Sequence, residues 1–243
     1  MTHTDAYQHD LAYIHDTSFG GFARSSAPNL LKLFRKNGIK DGLVVDLGCG
    51  SGIWARALAD AGCQAVGADQ SAAMIEIARQ RVPEATFHVS FLLDFKFPTC
   101  RAVTAMGEVL DYLFDKRNSM RALRRLSERV FDALEPNGLF VLDVAEPGRS
   151  KRQKFFIKEG PDWSCLVEYD HDNDKQRLTR RIVTFRKIGD NYRRHEESHT
   201  LQLYPGTTVA EMLRRVGFRV RLVRSYGKFH VPQAVVVIVA RKP

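Results

Sequence analysis

The amino-acid sequence predicts an α/β fold built on a mostly parallel sheet with helices on both faces. Three observations carry this prediction. Apolar, strand-like runs alternate with helical segments from residue 41 to about residue 144, a glycine-rich turn directly follows the first run, and period-two segments interrupt the alternation between residues 150 and 205. Strands that alternate with helices imply right-handed βαβ crossovers, which cover both faces of a parallel sheet.

The parallel part of the fold is predicted element by element along the chain. LVVDL predicts a strand, and IWARALADAG follows it with helical spacing and closes at Gly62. QAVGAD predicts the next strand, and SAAMIEIARQR predicts a helix that Ser71 is placed to cap. TFHVSFLLD and RAVTAM predict two further strands, SMRALRRLSERVFDALEPNG a long helix, and LFVLDVAE a fifth strand.

After Glu146 the pattern becomes that of an antiparallel meander. CLVEYDHD, RLTRRIVTFRKI and NYRRHEESHTLQLY alternate with period two and are separated by the turn-like stretches HDND and IGDN. The helix TVAEMLRRVG, which ends at Gly217, and the strands FRVRLVRSYG and AVVVIVARK then resume the first pattern. We therefore predict an N-terminal helical segment over 1–40, an α/β domain over 41–149 and 206–243, and an antiparallel insert over 150–205.

The composition allows two interpretations of the positive charge. The chain has 243 residues, 44% of them hydrophobic, and a formal net charge of +9. Such a charge suits a polyanionic partner, because lysine and arginine neutralise phosphates. The basic residues are nevertheless spread through RALRRLSER, LTRRIVTFRK, NYRRH and MLRRVGFRVRLVR, where they alternate with apolar residues as they do on solvated faces.

Other compositional features favour a cytoplasmic chain without metal. No uncharged apolar stretch approaches the roughly 18 residues of a membrane span, and MTHTDAYQHD lacks the basic and apolar parts of a signal peptide. The four cysteines have no CxxC spacing, so they predict neither a zinc site nor a disulfide framework. We expect reduced, packed thiols and no membrane partner.

The turn VVDLGCGSG predicts a nucleotide-binding device. Gly48, Gly50 and Gly52 can adopt positive φ and let a ligand approach the backbone, and the following helix start presents free N–H groups. The dinucleotide fingerprint GxGxxG is not met, because Ile53 stands at its third glycine position. Asp69 ends the second strand about where a ribose-binding carboxylate is expected.

These motifs together resemble the class I S-adenosylmethionine-dependent methyltransferases. DLGCGSG is similar to the first motif of that family, VGADQSAAMIEIAR to the second, and LEPNGLFVLDV to the strand before the crossover. The resemblance implies a Rossmann-like sheet of seven strands with the last one antiparallel, S-adenosylmethionine as cofactor and S-adenosylhomocysteine as product. It also implies cofactor contacts from Asp46, from Gly48, Cys49 and Gly50 at the methionine portion, from Asp69 at the ribose, and from Gln70 and Met74 at the adenine.

The adenine site departs from the family pattern. Aligned on TFHVSFLLDFKFP, the usual acidic residue after the third strand is replaced by Phe91, beside Ser90. We expect backbone groups of Phe91 and Leu92 to hold the adenine, because Asp94 lies too far along the chain to substitute.

The resemblance places AMGEVLDYL, after the fourth strand, beside the sulfonium and the acceptor. Met106 is then a cofactor residue, Tyr112 a substrate-binding residue, and Glu108 a candidate to orient the acceptor or remove its proton. A capping or solvated role for Glu108 is the alternative.

The insert supplies a second catalytic candidate. In HEESHTLQLY the alternation puts Glu197 and His199 on one face, with Tyr204 just beyond, and His199 is either an ordinary strand residue or an active-site histidine. In the family that the sequence resembles, members that methylate small molecules often carry such an insert, which covers the acceptor pocket. We therefore predict that the insert covers the acceptor and that His199 is catalytic and Tyr204 substrate-binding.

The N-terminal segment carries many aromatic residues before the helix APNLLKLFRKNG. They either pack on the outside of the sheet or fold over the cleft above the glycine turn. We predict a mobile lid in YIHDTSFGGFAR, with Tyr13 and Arg24 as cofactor residues and Arg24 facing the methionine carboxylate.

Four functions remain in competition, and a nicotinamide dehydrogenase is the least favoured of them because Ile53 breaks its fingerprint. The first is methyl transfer to nitrogen or oxygen of a small molecule. The second is methylation of a nucleic acid, which the charge favours, although the chain has neither an RNP-like aromatic motif nor an NPPY-type sequence after the fourth strand. The third is a catalytically silent cofactor-binding subunit.

Overall fold

The computed structural model describes residues 6–243, so the first five residues of the predicted N-terminal segment lie outside the described part. Its main sheet has seven strands in the order β10-β13-β5-β4-β1-β2-β3. Neighbouring strands are parallel except for β13, which is antiparallel to both β5 and β10. This confirms the predicted sheet. The strands are β1 Gly42–Leu47, β2 Cys63–Asp69, β3 Thr86–Val89, β4 Cys100–Ala105, β5 Leu134–Ala145, β10 Arg219–Val223 and β13 Val235–Arg241.

Helices cover both faces of this sheet, as the alternation predicts. The helices on these faces are α2 Gly21–Lys36, α3 Ile53–Asp60, α4 Ala72–Arg81, α5 Met120–Ala133 and α6 Gly206–Val216, and a further helix, α1 His9–Ser18, precedes them. On one face α2 and α3 bury Leu30, Phe34 and Trp54, and on the other α5 and α6 bury Leu126 and Leu213. Each fully buried side chain of this size stabilises the fold by about 1.5–3 kcal/mol.

Local signals at the helix ends behave largely as predicted. The Ser71 hydroxyl accepts the N–H of Met74 at 3.1 Å and caps α4, and Gly217 ends α6 with φ of 121°. The predicted long helix is too long at its end, because α5 stops at Ala133 and the next residues already belong to β5. There Leu134 pairs with Cys100 of β4.

The insert forms a separate antiparallel sheet in the order β6-β7-β8-β9. Its strands are β6 Phe155–Gly160, β7 Trp163–Asp172, β8 Arg177–Ile188 and β9 Asn191–Gln202. The period-two pattern predicts the last three but not β6, because the exposed positions of β6 carry Phe155 and Ile157 and hide the usual polar alternation. A short hairpin, β11 Ser225–Tyr226 with β12 Phe229–His230, precedes the last strand.

The N-terminal helix α1 packs under the insert. Leu11 and Ile14 share a buried cluster with Trp163, Val167 and Ile182 of β7 and β8. The insert and α1 therefore form one layer beside the main sheet. Within residues 6–243 no helix is both long and apolar enough to cross a membrane.

Candidate active site

The glycine turn lies between β1 and α3, at the carboxyl edge of the parallel strands. Gly48, Gly50 and Gly52 have φ of 65°, 51° and 76°, a region that favours glycine. A Cβ at Gly48 would lie 2.5 Å from Val109 Cγ1, whereas a Cβ at Gly50 would meet no atom within 4 Å. Packing therefore requires glycine at position 48, and the backbone at Gly50 is open for the approach of a ligand.

Asp69 connects the end of β2 to this turn. Its Oδ2 accepts the N–H of Gly50 and its Oδ1 accepts the N–H of Ser71, each at 2.9 Å. Burial raises the pKa of the Asp69 carboxyl, although these backbone N–H groups oppose the rise. Because a carboxylate can accept about four hydrogen bonds, Asp69 retains acceptor capacity that fits the hydroxyls of a ribose.

Asp46 lies one strand away in a buried polar network. It is only 3% exposed, and its Oδ1 accepts the hydroxyl of Thr104 at 2.7 Å. The indole Nε1 of Trp54 donates to the same Thr104 oxygen at 3.1 Å. Burial raises the pKa of Asp46 to about 7. This carboxyl is thus able to change its charge near neutral pH.

A cavity of about 230 Å³ opens above the turn, between β1 and β4, where the strand order reverses. Ligands bind at such switch points in open α/β sheets. We call it the glycine-turn cleft. Of the predicted site residues, those lining it are Asp46, Gly48, Cys49, Gly50, Asp69, Gln70, Met74, Phe91, Leu92, Met106 and Tyr112.

Two residues of the predicted lid are not brought to this lining. The Tyr13 hydroxyl donates to Asp162 at 3.2 Å, and the Tyr13 ring lies under the guanidinium of Arg186. Arg24 is exposed and donates to the Asp16 carbonyl at 3.3 Å. Both side chains therefore contact partners outside the cleft.

Ser90 is likewise absent from the lining, because its hydroxyl donates to the carbonyl of Phe91 at 2.9 Å. Tyr7 and His15 line the cleft from the N-terminal segment, and sequence reasoning missed them as site residues. Aromatic content marks that segment as unusual, but it does not tell which rings turn inward.

A second cavity, of about 420 Å³, lies between the insert and the ends of β4 and β5. We call it the insert cavity. Its lining includes Glu108, Tyr112 and His199, three of the residues for which the sequence predicts a role toward the acceptor. The residues that line both cavities are Tyr7, His15, Phe19, Phe22, Gly107 and Tyr112. The two cavities therefore meet.

Glu108 is held by two arginines in the insert cavity. Its Oε2 accepts Nη2 of Arg180 at 2.6 Å, and its Oε1 accepts Nε of Arg149. Arg180 also donates to the Tyr112 hydroxyl at 2.9 Å. Burial alone would raise the pKa of Glu108, but the charges of Arg180 and Arg149 outweigh it and hold that pKa below its usual value. Such a carboxylate is a weak proton acceptor.

Asp143, at the end of β5, shapes the turn that carries Glu108. Its carboxylate accepts the N–H groups of Gly107 at 3.0 Å and Glu108 at 2.6 Å, and the Tyr226 hydroxyl at 2.8 Å. Burial raises the pKa of Asp143 to about 6. Glu108 itself has φ of 62°, an uncommon value for a residue with a side chain, and these bonds stabilise it.

His199 is buried on β9, and its Nε2 lies 2.7 Å from Oε2 of Glu197. Its ring packs against Tyr7 and Phe114, with centroids 4.7 and 4.8 Å away. The other nitrogen, Nδ1, is buried and has no hydrogen-bond partner among residues 6–243. The predicted grouping of Glu197 and His199 on one face is thus observed, and the pair is a carboxylate–imidazole dyad.

Tyr204 is the predicted substrate residue that lines neither cavity. Its ring is buried in the main core, beside Val209 and Leu213 of α6, and burial raises its pKa to about 12. Its backbone N–H donates to the carbonyl of Ala145 at 3.0 Å. Tyr204 lies beyond the end of β9, so the alternation of that strand does not extend to it.

Comparisons with known proteins agree with this architecture. Residues 44–138 match a family described as "Methyltransferase domain". A dTDP-3-amino-3,6-dideoxy-alpha-D-glucopyranose N,N-dimethyltransferase of Streptomyces fradiae is 26% identical over 213 residues, which cover 82% of this chain and 79% of that protein. A ubiquinone biosynthesis O-methyltransferase of Chelativorans sp. (strain BNC1) is 30% identical over 131 residues, 53% of this chain and 47% of that protein.

A solved structure of a methyltransferase shares the fold of this chain. A crystal structure of an S-adenosylmethionine-dependent methyltransferase from Clostridium acetobutylicum ATCC 824 superposes with a TM-score of 0.81 at 14% identity, and the match covers 96% of this chain and 98% of that one. The sheet order, the glycine turn and the family match define a class I methyltransferase fold. Residues 44–138 thus match a methyltransferase domain, and the chain has the fold of the S-adenosylmethionine-dependent methyltransferases, as its motifs predict.

Proposed function

We propose that this enzyme transfers a methyl group from S-adenosylmethionine to a nitrogen or oxygen atom of a small molecule held in the insert cavity. The observation that carries the proposal is the junction of the two cavities at Tyr7, Gly107 and Tyr112, with His199 on the insert side and Asp69 on the other. Two ligands seated in adjoining cavities would meet at that junction.

The glycine-turn cleft fits the cofactor. The open backbone at Gly50 would admit the methionine portion, and the remaining acceptor capacity of Asp69 would bind the ribose hydroxyls. Met74 and Leu92 provide apolar lining for the adenine. The activated methyl group comes with the bound cofactor, so the chain must only position the acceptor, exclude water and accept a proton.

His199 is the better proton acceptor of the two catalytic candidates. Its Nδ1 is buried and unpartnered among the described residues, whereas both oxygens of Glu108 are bound by guanidinium groups. His15 also has an unpartnered Nδ1, but burial lowers its pKa to about 4. We therefore assign proton removal to His199 and assign Glu108 to fixing Arg180, and through it Tyr112, at the cavity wall.

Two relatives support a small acceptor. One is an N,N-dimethyltransferase of a nucleotide sugar, and the other is an O-methyltransferase of ubiquinone biosynthesis. The exposed face of the insert gives less support to a nucleic acid, because Arg181 pairs there with Glu168 and Glu196. A basic side chain that is paired with an acidic one contributes little of the positive potential that would attract phosphates.

Transfer of labelled methyl tests the proposal. The protein is incubated with methyl-labelled S-adenosylmethionine and a metabolite extract, and in parallel with total tRNA and with duplex DNA. We expect label in a low-molecular-weight product and binding of S-adenosylhomocysteine by calorimetry. Label in tRNA or DNA at physiological salt would contradict the small acceptor, and cofactor binding without any label transfer would indicate a silent subunit.

A further inference from the structure

The carboxylate of Glu197 is the meeting point of the insert and the N-terminal segment. Its side chain is 5% exposed. Besides His199, it accepts the backbone N–H of Tyr7 at 2.6 Å and that of Gln8 at 3.0 Å. Three donors thus converge on one buried carboxylate, two from residues near the start of the chain and one from β9.

This arrangement determines which nitrogen of His199 carries the proton. An ionised carboxylate only accepts hydrogen bonds, so Nε2, at 2.7 Å, must be the protonated nitrogen. In a neutral imidazole the other nitrogen then has a free lone pair. Nδ1 is that nitrogen, and it has no partner among the described residues.

The same contacts continue to the cofactor side. Tyr7, whose N–H binds Glu197, accepts the hydroxyl of Ser71 through its carbonyl at 2.7 Å. The N–H of Ser71 binds Asp69 at 2.9 Å. Hydrogen bonds between successive residues therefore connect Asp69 in the glycine-turn cleft, through Ser71, Tyr7 and Glu197, to His199 in the insert cavity.

We propose that Glu197 is a positioning residue that fixes His199 with Nδ1 as its proton acceptor and makes this arrangement depend on docking of the N-terminal segment at Tyr7 and Gln8. Among the described residues, nothing else around His199 replaces Glu197 as the acceptor for Nε2. The charged and titratable groups facing His199 are His195 on its own strand, Arg180 on β8, Tyr7 and His15 from the N-terminal segment, and Tyr112.

The first test is the tautomer of His199, read by long-range ¹H–¹⁵N NMR on the ¹⁵N-labelled full chain with S-adenosylhomocysteine. We expect a proton on Nε2 in the wild type, and a mixture of tautomers in Glu197→Gln, because an amide can donate as well as accept. The matched control is Glu196→Gln, which changes the same group on the exposed face, where it pairs with Arg181. A proton on Nδ1 in the wild type would overturn the proposal without any variant.

The second test is hydrogen exchange at the amides of Tyr7 and Gln8. We expect at least tenfold faster exchange in Glu197→Gln and no change in Glu196→Gln. Equal protection in both variants would refute the docking role. Should Glu197→Gln fail to fold, Glu197→Asp replaces it, with an intermediate effect expected because the shorter acid keeps the charge.

The catalytic consequence of this proposal rests on the proposed function. With an acceptor identified by label transfer, Glu197→Gln should lower kcat while leaving KM within about threefold, and Glu197→Asp should restore part of kcat. An unchanged kcat in Glu197→Gln would remove the catalytic part. The tautomer and exchange measurements need no turnover, so they decide the role of Glu197 even if no small acceptor is found.

Discussion

Glu108 and Arg180, which are 72 positions apart in the sequence, form an ion pair that joins the turn after β4 to the insert, with Oε2 and Nη2 2.6 Å apart. Arg149 completes the group on the other carboxylate oxygen. All three side chains are largely buried, at 9%, 15% and 21% exposure. This wall of the insert cavity is therefore an electrostatic unit shared by the insert and the α/β domain.

Substitution Glu108→Gln should destabilise the protein by about 3 kcal/mol, because removing one partner leaves buried charges uncompensated. Urea unfolding of the variant measures the loss. The control is Glu196→Gln, where the exposed pair with Arg181 should contribute no more than about 1 kcal/mol. Equal losses of unfolding free energy in the two variants would show that the buried group stabilises the protein no more than an exposed ion pair does.

Removal of the proposed proton acceptor, His199→Ala, should lower kcat by about 10²- to 10⁴-fold, the usual range for a general base. Affinity for S-adenosylhomocysteine should stay within about threefold, because His199 lines only the insert cavity. The control is His230→Ala, an exposed site on β12. Turnover left intact by both His199→Ala and Glu108→Gln would contradict the assigned roles.

Substitution Asp69→Ala should weaken binding of S-adenosylhomocysteine by about ten- to a hundredfold. The loss of hydrogen bonds to a charged group costs about 1.5–3 kcal/mol, and the variant also loses the contact that holds Gly50. Titration calorimetry measures the affinity, with the exposed Asp170→Ala as control. Equal affinity in a folded Asp69→Ala protein would place the ribose elsewhere.

Stability should respond to pH through Asp46. Burial raises its pKa to about 7 in the folded protein, whereas the unfolded carboxyl titrates near 3.8. Because the folded state then binds more protons, the stability that protonated Asp46 contributes is complete below about pH 4 and is lost as pH rises through 7. Asp46→Asn removes this titration, so its stability relative to wild type should increase by about 3–4 kcal/mol between pH 4 and pH 8.

Urea unfolding of both proteins without cofactor, at several pH values, measures that difference. Asp41→Asn is the control, since Asp41 is exposed. A difference between Asp46→Asn and wild type that stays constant from pH 4 to pH 8 would mean that Asp46 titrates normally in the folded state.

The predicted lid motion of the N-terminal segment is tested by hydrogen exchange with and without S-adenosylhomocysteine. Tyr7, His15 and Phe19 line the glycine-turn cleft, so the cofactor should slow exchange in α1 and in the turn that follows it. Strand β10, at the edge of the main sheet and in the lining of neither cavity, serves as the internal reference. If the cofactor left the exchange protection of α1 unchanged, the predicted lid motion would be wrong, whatever the affinity for the cofactor.

The parallel sheet was predictable because its signals are local. Neighbouring residues in the sequence predict the strands, helix caps such as Ser71 and the turn at Gly50. The position of Asp69 is predicted by the spacing between the glycine turn and the second strand. The partners of Glu108 were not predictable, because Arg180 reaches it only through the docking of one sheet on another. The same limit applies to Tyr7 and Tyr13, since composition does not decide which ring faces the cleft.

The insert leaves the main sheet after Ala145 and returns at Tyr204, and one backbone hydrogen bond joins those two residues. A segment whose ends meet can change in length and sequence without moving the turn that carries Gly50 or the strand that ends at Asp69. Under the proposed function, the insert cavity can therefore be reshaped for a different acceptor while the glycine-turn cleft keeps its form. Only the contacts that cross between the layers, such as the pair of Glu108 and Arg180, would have to change together with it.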